Sequence, residues 1–180
     1  MQADSLDFKQ NHFHLFGLAE SFRIDQPLLD QQYRSLQSLV HPDKSAHLPD
    51  TEQRLAMQRA TLVNEAYQTL KNPLRRARYL LSLQGVETQE ESNTAMPLDF
   101  LTAQIEWREA VGDAQQARDV DALVRLETRM KQETLELEAQ LAVQIDVAKD
   151  YAEAAGLVRK LRFMEKLAEE IHAAYDALDI

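Results

Sequence analysis

The residues His41-Pro42-Asp43-Lys44 fall between two long segments whose apolar residues recur at helical spacing. The segment before them begins at Asp25, which suits a helix N-cap, and runs to Val40. The segment after them runs from Thr51 to Lys71. Proline ends a helix and biases the preceding residue away from helical dihedral angles. The pattern therefore predicts two helices joined by an exposed loop that carries an imidazole and a carboxylate.

The two segments carry apolar stripes that predict an antiparallel helical hairpin. The stripe of the first segment consists of Leu29, Tyr33, Leu36 and Val40, and that of the second consists of Leu55, Leu62, Val63, Ala66, Tyr67 and Leu70. Asn72 and Pro73 suit the cap and first position of a further helix that ends near Leu83 and Gly85.

Composition favours an all-α protein. The chain has 180 residues, 44% of them hydrophobic, and only 4 Gly and 5 Pro, and we find little strand-like alternation. It contains no Cys, which is consistent with a reducing compartment, and we expect a cytoplasmic location. We find neither a run of about 18 apolar residues nor a signal-peptide core, so we expect no membrane association.

Charge is divided unevenly along the chain. Residues 1–83 carry a net charge of +1, whereas residues 84–180 carry −11. An acidic second half argues against a nucleic-acid ligand, because phosphate contacts need clustered Lys and Arg. A solvated helical surface is the simplest explanation of this acidity, and a role in steering partners is the alternative.

The second half predicts a three-helix bundle. We expect one domain over residues 1–83, a polar linker over 84–97 and a second domain over 98–180. The three predicted helices run from Leu98 to Val111, from Val120 to Lys149 and from Tyr151 to Leu178, with a break at Gly112. The seam of the last helix consists of Leu157, Leu161, Met164, Ala168, Ile171, Tyr175 and Leu178. The middle helix offers Leu123, Met130, Leu137, Leu141 and Ala148 against it.

The helix that begins at Leu98 has two apolar faces. The wider face suits docking on the other two helices and consists of Phe100, Ala103, Trp107, Ala110 and Val111. Leu98, Leu101 and Ile105 lie on the opposite face, near Glu106 and Glu109. An exposed apolar stripe rimmed by carboxylates predicts a protein-binding surface, although burial against the first domain is an alternative for Leu101 and Ile105.

Two helices joined by a loop with His-Pro-Asp-Lys, after a short Phe13-His14-Leu15-Phe16-Gly17-Leu18 element, resemble the J-domain. The run from Lys71 to Gly85, KNPLRRARYLLSLQG, and the run Val158-Arg159-Lys160-Leu161-Arg162-Phe163 resemble the HscB family of J-type co-chaperones. The resemblance covers essentially the whole chain. It implies an L-shaped arrangement of the two domains, and the lack of a cysteine metal module near the N-terminus resembles the bacterial members.

The resemblance also implies partners and site residues. Members of the family stimulate ATP hydrolysis by a DnaK-type chaperone, HscA, and deliver the scaffold protein IscU to it during iron–sulfur cluster assembly. The implied chaperone-binding residues are His41, Pro42, Asp43, Lys44 and Arg34. The implied client-binding residues are Leu101, Thr102, Ile105, Glu106, Glu109, Asp113 and Phe163. Thr102 stands where the family favours a larger apolar side chain, and flank packing within the bundle is the alternative role of Phe163.

Other functions fit the sequence less well. An enzyme or metal site would have to use His41, Asp43 and His47, but no phosphate loop or paired nucleophile and base accompanies them. We therefore expect no enzymatic activity, no metal and no cofactor. A J-domain protein whose bundle holds a different client, or only oligomerises, is the remaining alternative.

Overall fold

The computed structural model of the chain describes residues 10–40, 49–88 and 97–178. These ranges contain helices and no strand, which confirms the all-α prediction. The chain divides into two compact units, residues 1–83 and residues 84–180. None of the helices in the described ranges is both long enough and apolar enough to cross a membrane.

The first unit is built on a helical hairpin. Its helices are α1 (His12–Leu15), α2 (Gln26–Val40), α3 (Asp50–Lys71) and α4 (Pro73–Leu83). The predicted cap of α2 is present, because the Leu28 amide donates a 3.0 Å hydrogen bond to the Asp25 carboxylate. The Arg75 amide donates in the same way to Asn72 Oδ1, at 2.8 Å, and Gly85 has a φ of +72° just after α4 ends.

Helices α2 and α3 pack antiparallel through the predicted stripes. Leu29, Leu36 and Val40 of α2 are buried, as are Val63, Ala66, Tyr67 and Leu70 of α3. Leu55, which we predicted in the stripe of α3, is 45% exposed. The stripe prediction is therefore wrong at Leu55, which lies in the first turns of α3, more than a helical turn before the buried Val63.

Helix α1 closes the first unit by packing on α3 and α4. Phe13 and Phe16 are almost fully buried, and the His12 ring stacks on the Tyr79 ring with centroids 4.2 Å apart. The His12 amide also donates a 3.0 Å hydrogen bond to the Tyr79 hydroxyl. This contact joins the beginning of the unit to its last helix.

The second unit is a three-helix bundle, as predicted. It consists of α5 (Leu98–Gln116), α6 (Val120–Ala142), a π-helical segment (Val143–Ala148) and α7 (Tyr151–Asp176). Helix α5 continues past Gly112 rather than ending at Val111. An exposed Gly costs a helix only about 1 kcal/mol, and the buried Val111 and Ala114 keep both sides of it packed on the bundle.

The end of the middle helix also differs from the prediction of one regular helix to Lys149. The α-helical hydrogen bonds end at Ala142 and are followed by a π-helical turn, which Lys149 ends in the left-handed conformation at φ 57°. A wider turn rotates the side chains relative to the preceding helix. As a result Ile145 is buried in the bundle, whereas Ala148, which we predicted to face α7, is exposed.

Candidate protein-binding surfaces

Four of the five predicted chaperone-binding residues follow α2 directly in the sequence. His41, Pro42, Asp43 and Lys44 lie outside the described residues, so their role stays a prediction. Arg34 is described, and it lies exposed on α2. The described part of this surface is therefore the face of α2 and α3 that leads to the tetrapeptide.

A polar cluster holds α2 against α3 on this face. The rings of Tyr33 and Tyr67 stack with centroids 3.9 Å apart. The Tyr67 hydroxyl donates a 3.0 Å hydrogen bond to the Asp30 carboxylate, and the Tyr33 hydroxyl donates one of 2.9 Å to Asn64 Oδ1. Hydrogen bonds between helices fix their register, because each needs one specific pairing of residues.

The cluster also shifts the ionisation of its charged members. Hydrogen bonds from the Gln26 amide and the Tyr67 hydroxyl lower the pKa of the Asp30 carboxyl. The charges of Lys71 and Arg34 lower it further. A hydrogen bond with Tyr67 raises the pKa of the Lys71 ammonium, whose nitrogen lies 5.3 Å from the centre of the Tyr67 ring. Asp30 and Lys71 therefore both carry their charges near neutral pH.

The histidines of the described residues form no metal site. Burial lowers the pKa of His12, which favours the neutral ring that stacks on Tyr79. His14 lies 3.5 Å from the Glu20 carboxylate at the surface. No group of three or more metal-ligating side chains occurs in the described ranges.

The second unit presents the predicted apolar stripe on α5. Ile105 is 57% exposed and Leu101 is 38% exposed, and Leu98 at the start of the helix is also exposed. Trp107 and Val111, on the opposite face, are buried against the bundle. The prediction that α5 has one docked and one free apolar face is confirmed for this unit.

Polar side chains border the stripe on one side. Glu106, Glu109 and Asp113 are all exposed, and none of them forms a salt bridge with a residue that the structure describes. Thr102 is exposed beside them, and its hydroxyl donates a 3.0 Å hydrogen bond to the Leu98 carbonyl. Together these residues give the stripe an acidic edge.

Phe163 does not lie on the exposed stripe. Its side chain is only 5% exposed and packs in the seam between α5 and α7. The Phe100 ring meets it edge to face, with centroids 5.7 Å apart and an interplanar angle of 85°. The flank packing that we considered for Phe163 is thus what the structure contains, and its implied contact with a client stays a prediction.

Arg108 borders the stripe on the side of α7, and the sequence analysis did not single it out. Its guanidinium lies 5.6 Å from the centre of the Phe163 ring, and its Nε donates a 3.2 Å hydrogen bond to Glu170 Oε1 of α7. Arg108 is three residues after Ile105 and seven after Leu101, so helical spacing alone puts it on the same side of α5. Its contact with α7 could not be read from that spacing.

A second apolar surface lies between α6 and α7. It is a groove of about 400 Å³ lined chiefly by apolar side chains, among them Met130, Leu161 and Met164. Leu135 forms one lip of the groove and is 66% exposed. The groove lies on a different helix pair from the α5 stripe.

Comparison with known proteins identifies the family. A family model described as the DnaJ domain matches residues 11–79, and one described as the HSCB C-terminal oligomerisation domain matches residues 96–172. The "Co-chaperone protein HscB homolog" of Chromobacterium violaceum is 53% identical over 172 residues, which cover 96% of this chain and 97% of the relative. The chain belongs to the HscB co-chaperone family.

Further HscB relatives match over the same extent. The homologue from Azoarcus sp. is 49% identical over 175 residues, 97% of this chain and 99% of its own. Among solved structures, HscB from Vibrio cholerae matches with a TM-score of 0.84 at 39% identity, covering 94% of this chain and 99% of its own. Human HscB matches with a TM-score of 0.87 at 32% identity, covering 93% of this chain and 83% of its own. The predicted family is therefore confirmed along both units.

Proposed function

We propose that this HscB-family protein stimulates ATP hydrolysis by a DnaK-type chaperone of the HscA kind and delivers an IscU-type scaffold protein to it. The cytoplasmic assembly of iron–sulfur clusters would be the process that this delivery assists. The observation that carries the proposal is the α5 stripe, where Leu101 and Ile105 are exposed beside three exposed carboxylates. It lies on the same chain as a hairpin that matches the DnaJ domain.

The chain would act by binding rather than by covalent chemistry. The Asp43 carboxylate would form a charge-assisted contact with an arginine of the ATPase, and His41 and Pro42 would shape the loop that presents it. Lys44 and Arg34 would steer the approach of the chaperone. The cluster around Tyr67 supports this role, because it fixes the register of the two helices that lead into the loop.

The second unit would hold the client through the α5 stripe. Leu101 and Ile105 would supply apolar contact, and Thr102 would lie at its margin. Glu106, Glu109 and Asp113 would meet basic groups of the client and set its orientation. Because one chain would carry both sites, the client would be present at the chaperone at a high effective concentration.

The experiment that tests this proposal measures steady-state ATP hydrolysis by the cognate chaperone, with client binding measured separately by calorimetry. Truncation of one partner of an interfacial charge pair costs about 2–5 kcal/mol, so Asp43→Ala should return hydrolysis to near its basal rate. The same variant should bind the client normally. Leu101→Ala combined with Ile105→Ala should weaken client binding by roughly tenfold or more while leaving stimulation by the co-chaperone alone intact.

Leu135→Ala provides a control, because Leu135 is an apolar residue outside the α5 stripe that is even more exposed than Leu101 and Ile105. It should change neither activity. Equal loss of both activities in the Asp43 variant and in the stripe variant, with unchanged helicity, would contradict the two-site proposal.

A further inference from the structure

The seam beside the α5 stripe contains a buried aromatic ring with one charged side chain lying over it. The Phe163 ring meets the Phe100 ring edge to face, the Arg108 guanidinium lies over it at 5.6 Å from its centre, and the side chain is only 5% exposed. Arg108 itself is 48% exposed. The cover is therefore a surface side chain and not part of the packed core.

Glu170 holds Arg108 in the covering position. Its carboxylate oxygen accepts a 3.2 Å hydrogen bond from Arg108 Nε across the seam between α5 and α7, and Glu170 is 40% exposed. A surface ion pair and a cation over an aromatic ring at an exposed site are both weak interactions. Binding of a protein to the adjacent stripe can supply enough energy to break them.

We propose that Arg108 is a positioning residue that covers Phe163 in the free protein and swings away when the client binds to the α5 stripe. This inference rests on the proposed client-binding function. The uncovered ring then extends the apolar contact of Leu101 and Ile105, which lie on the same side of α5 as Arg108. The free protein thereby avoids exposing a continuous apolar patch.

A second arginine that lies over an aromatic ring and pairs with a glutamate, in this case on its own helix, provides a control. The Arg129 guanidinium of α6 lies 4.4 Å from the centre of the Trp107 ring, and its Nε donates a 2.9 Å hydrogen bond to Glu133. Trp107 is on the docked face of α5, away from the stripe, and is 3% exposed. Loss of the Arg129 cover should therefore leave client binding unchanged.

The first measurement needs no client. Protein labelled with 4-fluorophenylalanine gives a fluorine resonance for Phe163, assigned by its disappearance in Phe163→Leu. In Arg108→Ala a soluble gadolinium chelate should broaden this resonance more than in the unaltered protein, whereas the resonance of the buried Phe13 should not change. Equal broadening of the Phe163 resonance with and without Arg108 would overturn the covering role.

The second measurement is calorimetric binding of the cognate IscU-type scaffold protein. Because the ion pair and ring cover no longer have to be broken, Arg108→Ala should lower the Kd roughly fivefold to tenfold. This gain in affinity should vanish when Phe163→Ala is combined with Arg108→Ala. Arg129→Ala should leave the Kd unchanged. A Kd that rises or stays constant in Arg108→Ala would overturn the inference, whereas absence of binding by the unaltered protein would refute the proposed function instead.

Discussion

At the scale of single residues, the Tyr67 hydroxyl connects hairpin packing to ionisation. It donates to the Asp30 carboxylate, and this hydrogen bond helps to keep the pKa of Asp30 below its ordinary value. A carboxyl whose pKa is lowered by folding adds stability above its unfolded pKa and loses that contribution as the pH falls through the folded pKa. The contribution of this contact is therefore largest near neutral pH.

Tyr67→Phe removes the donor while keeping the stacked ring. We expect the pKa of Asp30 to rise, and we expect the fall in the urea midpoint of unfolding to be larger at pH 7 than at about pH 2, because protonation of the carboxylate removes the charge that the hydroxyl contacts. Carbon-detected titration of the Asp30 carboxyl and urea unfolding followed by circular dichroism measure the two effects.

Tyr33→Phe is the control for this prediction, because the Tyr33 hydroxyl donates to the uncharged Asn64 amide. Its effect on the urea midpoint should be nearly the same at both pH values. A loss of stability in Tyr67→Phe that does not depend on pH would contradict the role assigned to the Asp30 contact.

The sequence could predict which residues of α5 face solvent, but not which side chain lies over the Phe163 ring. Leu101, Ile105 and Glu106 follow from a helical period of 3.6 residues, which fixes positions on one helix. The contacts of Arg108 with Phe163 and Glu170 depend on how α5 packs against α7, which a single helical period does not contain. The buried position of Phe163 could not be predicted for the same reason.

At the scale of helices, Gly112 is the clearest departure from expectation. A Gly in a polar stretch predicts a helix end, but packing of Val111 and Ala114 on the bundle overrides that local preference. The π-helical turn after α6 also departs from local preference. There the burial of Ile145 in the bundle decides which side chains face the other helices. Helix bounds supported by caps, such as those at Asp25 and Asn72, were predicted well.

Gly112→Ala should stabilise the protein by about 0.5–1 kcal/mol, because Ala loses less backbone entropy than Gly in a helix. Apart from the neighbouring helix backbone, no atom of the described residues lies within 4 Å of the position that the new Cβ would occupy, so the substitution needs no rearrangement. Thermal and urea unfolding followed by circular dichroism measure the gain.

Gly85→Ala is the opposite case and serves as its control. There too a Cβ would meet no atom within 4 Å among the described residues other than its chain neighbours, but the φ of +72° strains any residue other than Gly. We expect this variant to be destabilised by about 1 kcal/mol. Destabilisation by Gly112→Ala of similar size would mean that α5 does not continue through this position as a regular helix.

At the scale of the whole molecule, the proposed function depends on having both surfaces on one chain. A mixture of Asp43→Ala protein with protein carrying Leu101→Ala and Ile105→Ala contains one intact copy of each surface. This mixture should fail to restore the joint stimulation of ATP hydrolysis by co-chaperone and client, because each chain can engage only one partner. The hydrolysis rate of the mixture should equal the average of the two variants measured alone.

Restoration of joint stimulation in the mixture would contradict delivery by single chains. It would instead indicate self-association of the chain. The apolar groove beside Leu135 is a candidate surface for such an association. Sedimentation of the mixture at the assay concentration distinguishes these outcomes.

The contact between His12 and Tyr79 has a consequence for synthesis of the chain. These residues are 67 positions apart, so α1 must leave the ribosome well before its partner on α4 is made. Translation of the first unit is complete once Leu83 has been added to the chain, whereas all three helices of the bundle are translated later. The hairpin can therefore close during translation, before the bundle that would hold a client has been made.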